Sequence, residues 1–195
     1  MAGRRAAAGL AAATIALTAA GCGLGGSTKT VTVTHTHTIT TTRTVTSRSA
    51  ASARPCLGAD LTGSFTLVPG SAGAGQISYL LTLKNTSHSR CYVRGLPNAT
   101  LLGSTGSALL THIRPAGGAA SPRIILEPGA SAVAQARFSP DVAGSGDSQS
   151  GTCQPQARTL EVTPSGGGPM DASIRPPTSV CEQGTLNFEA FGYAG

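Results

Sequence analysis

The amino-acid sequence predicts an all-β fold: an antiparallel, immunoglobulin-like β-sandwich, stapled by disulfides and carried behind a signal peptide and a disordered Thr-rich stalk. Three observations carry that expectation. All 12 prolines and all seven aromatic residues (four Phe, three Tyr) lie at or after Pro55, so no segment there keeps an uninterrupted helical period. Short runs that alternate apolar and polar residues recur in the same part of the chain, with turn signals about every dozen residues. Four cysteines are scattered through it, and none is spaced C-x-x-C.

Residues 1–21 read as an export signal. Arg4 and Arg5 give a positive start, and the apolar stretch of residues 6–20 is the length of a signal core and short for a membrane span. It ends in Leu17-Thr18-Ala19-Ala20-Gly21-Cys22, which resembles the lipobox of bacterial lipoproteins. That resemblance implies that Cys22 is lipidated and becomes the first residue of the mature chain. Cys22 is also the odd one among five cysteines, and an odd cysteine in an exported protein calls for a role of its own.

Residues 22–54 form the expected linker. Thr occupies every even position from Thr28 to Thr46, with Thr41 in addition. Such alternation is a strand signal, but the other face mixes Lys29, Val31, His35, His37, Ile39 and Arg43, and neither face can bury a core. The expectation is an extended, solvated stalk with hydroxyls open to O-glycosylation, reaching about 110 Å when fully extended or roughly 30 Å as a flexible coil. His35 and His37 share a face of that arm but lack further ligands for a closed metal site.

Residues 55–195 are the expected sandwich domain. Strand signals fall at residues 61–68, 77–83, 91–93, 100–102, 108–113, 123–126, 132–138, 160–162 and 186–188. Gly103-Ser-Thr-Gly106 is a candidate hairpin turn, and residues 141–152 read as a long, flexible polar loop. Cys56, Cys91, Cys153 and Cys181 imply two disulfides in an exported domain. Three connectivities are open, and the preferred one is sequential, Cys56–Cys91 with Cys153–Cys181, each contributing on the order of 3–4 kcal/mol in the chain-entropy model.

Charge narrows the function. The formal net charge is +6, but the excess lies in the first 54 residues; from Pro55 onward basic and acidic side chains balance. A neutral domain lacks the clustered cations that nucleic acid requires, so the expected partners are the membrane, through a lipid anchor, and an envelope protein or glycan. No nucleophile elbow, phosphate loop or metalloprotease helix is present, and no cofactor or metal is expected. His88, in a polar turn, and His112, near a strand end, are the candidates for the alternative reading, an envelope hydrolase. Asp141 and Asp147 bracket a Gly/Ser loop but miss the calcium-loop ligand order. Arg94 is notable as a charge beside the tight Gly95-Leu96-Pro97 corner.

Several of these pieces together resemble a known family. Cys56 before a first strand, Lys84-Asn85-Thr86-Ser87 at a strand end, Cys91-Tyr-Val-Arg-Gly95-Leu-Pro97, and Leu126-Glu-Pro-Gly129-Ala-Ser-Ala132 are similar to the core of the actinobacterial domain of unknown function 4232. Val93 and Leu96 stand where Leu and Tyr are usual. The resemblance covers Pro55 to about Phe191 and implies an exported β-sandwich from an actinobacterium; it carries over no catalytic residues. The function expected is therefore a lipid-anchored, extracytoplasmic, non-enzymatic binding module on the outer face of the cell membrane.

Overall fold

The computed structural model describes residues 29–31, 43–45, 53–118 and 122–194. The chain divides into two units, Met1–Ala51 and Ser52–Gly195. In the first, β1 (Lys29–Val31) pairs antiparallel with β2 (Arg43–Val45), so these parts of the Thr-rich arm meet each other, which the reading as a solvated stalk had not anticipated. Cys22, His35 and His37 lie outside the described residues, as does the expected signal peptide. Among the described residues no helix is long and apolar enough to cross a membrane.

The second unit is almost entirely β. In chain order it holds β3 (Arg54–Pro55), a 3-10 turn (Gly58–Asp60), β4 (Leu61–Leu67), β5 (Ile77–Asn85), β6 (Cys91–Val93), β7 (Asn98–Leu102), β8 (His112–Pro115), β9 (Ile124–Leu126), β10 (Ser131–Phe138), β11 (Ala157–Thr163), β12 (Met170–Thr178), a one-turn segment (Cys181–Gly184), β13 (Thr185–Phe188) and β14 (Gly192–Tyr193). The main sheet runs β7-β11-β12-β4-β5-β10-β13-β8, with β14 also on β10; β3, β6 and β9 form a small second sheet. The path nearly closes into a barrel. Past the turn at Gly103–Gly106, Leu109 N–H donates to the Leu101 carbonyl (2.8 Å) and the Thr111 hydroxyl accepts from Leu101 N–H (2.9 Å), which brings the approach to β8 against β7.

The sheets are mixed, which corrects the antiparallel expectation. β12 pairs parallel with β4, β13 with β8, and β3 with β6. Turn signals report hairpins between sequence neighbours; they carry no information on strands brought together from a hundred residues apart, as β4 and β12 are. β12 itself escaped the strand reading, because Pro176 and Pro177 look like breakers. They sit beyond Arg175, the last residue paired with β4, and within the register irregularity between Ala157 and Thr159 of the neighbouring strand, where no ladder N–H is needed.

The core follows from alternation and size. On β10 the inward residues are Ala132, Ala134, Ala136 and Phe138; the three alanines lie opposite Leu83, Leu81 and Tyr79 of β5, small against large. Phe65 is the hub, with ring centroids 5.1 Å from Tyr79, 5.9 Å from Phe188 and 6.4 Å from Phe138. Four of the seven aromatics thus share one cluster, each pair adding about 0.5–1.5 kcal/mol beyond area burial, in a domain without Trp. Tyr79 is buried and its hydroxyl donates to the Pro176 carbonyl (2.9 Å).

Candidate functional site

Two regions are built by a disulfide, and they differ in what surrounds it. Cys56 is bonded to Cys91 and Cys153 to Cys181. Around the first, the buried polar groups, Asp60 and Asn85, are spent on the fold. Asn85 is fully buried: its amide donates to the carbonyls of Ser89 (2.9 Å) and Leu126 (3.0 Å), and its Oδ1 accepts from Ser87 N–H (3.0 Å) and hydroxyl (2.8 Å). Gly129 N–H donates to the Asn85 carbonyl (2.8 Å). The Asn-Thr-Ser and Leu-Glu-Pro-Gly segments are therefore two halves of one knot. Arg54 forks onto Asp60 (2.7 and 2.9 Å), and that guanidinium, aided by Leu57 N–H, holds the Asp60 carboxyl below the usual range.

Around the second disulfide the backbone is strained. Cys181 opens a turn in which Glu182 (φ 53°, ψ 47°) and Gln183 (φ 56°, ψ 37°) both adopt the left-handed conformation, followed by Gly184 (φ 75°). A left-handed non-glycine residue costs about 1–2 kcal/mol, and two in succession persist only where the surroundings impose them. Asp147 does the imposing. Its Oδ1 accepts from Gln183 N–H (2.7 Å), and its Oδ2 accepts from Glu182 N–H (2.6 Å) and Gly144 N–H (2.8 Å). These amides, Gln183 first and Gly144 next, hold the Asp147 carboxyl below the usual range.

The loop is glycine-rich for a steric reason. A side chain at Gly144 would strike Glu182, one at Gly146 would strike Gln183, and one at Gly184 would run into the Leu110 carbonyl. The segment 141–152 is thus not a free loop, as its composition suggested: Asp147 pins it to the turn.

Beside the turn opens a cleft of about 610 Å³, lined by Gly144, Ser145, Glu182 and Gln183 on one side and by His112, Arg114, Thr185 and Asn187 on the other. The second wall is one face of two strands in parallel register, His112 opposite Thr185 and Arg114 opposite Asn187. Thr185 Oγ donates to the Glu182 carbonyl (2.6 Å), tying the turn to that wall. Among the described residues, the side chains of His112, Arg114, Glu182 and Gln183 make no hydrogen bond or ion pair.

Of the residues singled out from sequence, His112 falls in this cleft, while His88 is exposed in the turn after β5, away from the cleft's lining residues. Asp147 commits both its oxygens to backbone amides of the loop and turn and makes no bond to an imidazole. Its carboxylate lies with Cys153 and Cys181 within 4.8 Å, but those sulfurs are bonded to each other and offer no thiolate to a metal. Arg94 borders a smaller hollow of about 180 Å³ with Leu96, Pro97 and Phe191. Arg114, Glu182 and Gln183 went unremarked in the sequence; consecutive left-handed Glu and Gln leave no compositional trace, and only Gly184 marks the turn.

The model of a family described as a domain of unknown function (DUF4232) matches residues 56–192, a span that takes in both disulfides and the cleft. Neither the curated proteins nor the solved structures hold a match to this chain.

Proposed function

The chain belongs to the DUF4232 family, and from that premise we propose that it is a lipid-anchored, extracytoplasmic module of an actinobacterial envelope that binds an envelope component in the cleft beside the left-handed turn. The observation that carries the reading is the coincidence of stored backbone strain with uncommitted polar groups: Glu182 and Gln183 are held in costly conformations on the rim of a cleft that also receives Arg114 and His112. Strain of this kind costs stability and supports the reading of a functional site, whereas the buried knot around Asn85, next to Cys56–Cys91, keeps its polar bonds within the fold. Binding without turnover is the reading adopted, because the sequence carries no catalytic motif and Asp147, behind the cleft wall, is committed to three backbone amides. In this proposal Cys22 supplies the anchor and residues 22–54 the tether.

The test is retention of the full chain on isolated cell envelope, with Arg114→Ala as the control. The reading expects retention that falls about tenfold in the variant at unchanged thermal stability; equal retention of both proteins removes the cleft from the function. The hydrolase alternative is checked with ester, peptide and glycan substrates, where activity lost in His112→Ala or His88→Ala overturns binding as the sole role. For the anchor, the mature N-terminal peptide is expected to begin at Cys22 with the mass of added acyl chains, and Cys22→Ser is expected to leave an unlipidated precursor. A different, lipid-free N-terminus contradicts the tether.

A further inference from the structure

The cleft presents two opposite charges that do not meet. Arg114 projects from the β8–β13 wall and Glu182 from the turn across from it, and their charged atoms lie beyond 4.0 Å of each other. The backbone beneath each is set by the fold. Arg114 takes its place on β8 from its register opposite Asn187, whose own amide is engaged with the Arg137 carbonyl (3.4 Å). The Glu182 backbone is fixed by its left-handed conformation and by the Asp147 bond to its N–H, and its side-chain stem lies against Gly144. The left-handed turn and the parallel register therefore set an acidic and a basic residue on two walls of one cleft, whose lining also holds His112, Gln183, Thr185 and Asn187.

The complement of that arrangement is a ligand carrying both charges. A carboxylate suits Arg114, whose planar fork takes both oxygens at once, and an ammonium suits Glu182. The volume, about 610 Å³, lies inside the roughly 300–1,000 Å³ range of small-molecule sites and greatly exceeds what single ions need. A purely anionic ligand would face repulsion from Glu182, and a purely cationic one from Arg114. We infer that the cleft binds a short peptide with a free amino end and a free carboxyl end, the carboxylate on Arg114 and the ammonium on Glu182. This rests on the reading of the cleft as the binding site and adds the ligand's class.

The experiment is calorimetric titration of the full chain with the dipeptide alanyl-alanine, its N-acetyl form, its C-terminal amide, and inorganic phosphate. The free dipeptide is expected to bind, with each capped form about tenfold weaker or worse. Arg114→Ala is expected to weaken the free dipeptide by about the same factor and to erase its advantage over the amide; Glu182→Gln, which keeps the backbone, is expected to erase its advantage over the acetylated form. Should Glu182→Gln disturb the turn, Arg114→Ala on β8 still decides with the amide. Equal binding of capped and free peptides, phosphate binding as tight as the dipeptide's, or no binding into the millimolar range overturns the inference. If the dipeptide is silent while envelope retention still depends on Arg114, the ligand class falls and the cleft reading stands; if retention also ignores Arg114, both fall.

Discussion

The two disulfide regions of the domain invite direct comparison. Around Cys56–Cys91 the backbone is relaxed, Asn85 has all its bonding capacity used within the fold, and Arg54 and Asp60 neutralise each other. Around Cys153–Cys181 two residues are held left-handed, a carboxylate is spent on bracing them, and four polar side chains face a cleft with no partner of their own among the described residues. The same crosslink thus serves two ends. In the first region it adds to an already satisfied knot; in the second it anchors the start of a turn that would otherwise relax. The family model spans both, but the second gathers its uncommitted polar groups along one cleft.

Removing the crosslinks gives the largest expected effects. With Cys56 and Cys91 35 positions apart, their joint replacement by Ala is expected to cost about 4 kcal/mol of unfolding free energy, read by urea denaturation, with ligand binding by the surviving folded fraction unchanged. With Cys153 and Cys181 28 positions apart, the equivalent pair is expected to cost slightly less, but to abolish cleft binding as well. If both pairs behave alike in binding, the two regions are not functionally distinct.

Asn85→Ala comes next. It strips partners from the Leu126 and Ser89 carbonyls in a fully buried site and is expected to cost about 3 kcal/mol, again without touching binding. Gln183→Gly acts in the opposite direction: glycine accepts φ 56° without penalty, so the variant is expected to gain about 1 kcal/mol while binding weakens severalfold. A loss of stability there would mean that the turn is not strained.

The smallest effect is in acid. Asp147 and Asp60 both have lowered pKa values, by backbone amides in the first case and by the Arg54 guanidinium in the second. A carboxylate whose folded pKa lies below its unfolded value, about 3.9, adds stability at all higher pH and loses it as pH falls through the folded value. Melting followed from pH 5 downward should therefore show a shallower acid loss in Asp147→Asn and in Asp60→Asn than in the parent. Only Asp147→Asn is expected to lose binding at neutral pH, since an amide cannot accept three N–H donors in the same way.

Much of the fold was legible because one face of each strand is buried. Ala132 to Phe138 and Ile77 to Leu83 alternate visibly, and the turn residues Gly106 and Gly129 sit at positive φ where the sequence places turns. What sequence could not reveal was pairing at a distance: the parallel ladders of β4 with β12 and of β8 with β13 have no turn to announce them. The site was less legible still. His112 was visible as a residue type, but its neighbours Arg114 and Glu182 are ordinary surface charges until a parallel register and a left-handed turn place them across one cleft. Asp147 looked like part of a free loop because its partners, the amides of residues 182 and 183, are 35 and 36 positions away.

The claim that binding belongs to the strained region and not to the motif-rich one is tested most directly by backbone amide chemical shifts of the full chain during titration with solubilised envelope fragments. The account predicts shifts concentrated at residues 112–114, 144–147 and 182–187, saturating together, with Asn85, Cys91 and Gly129 still. Shifts centred on those three positions, with the cleft unmoved, would contradict it.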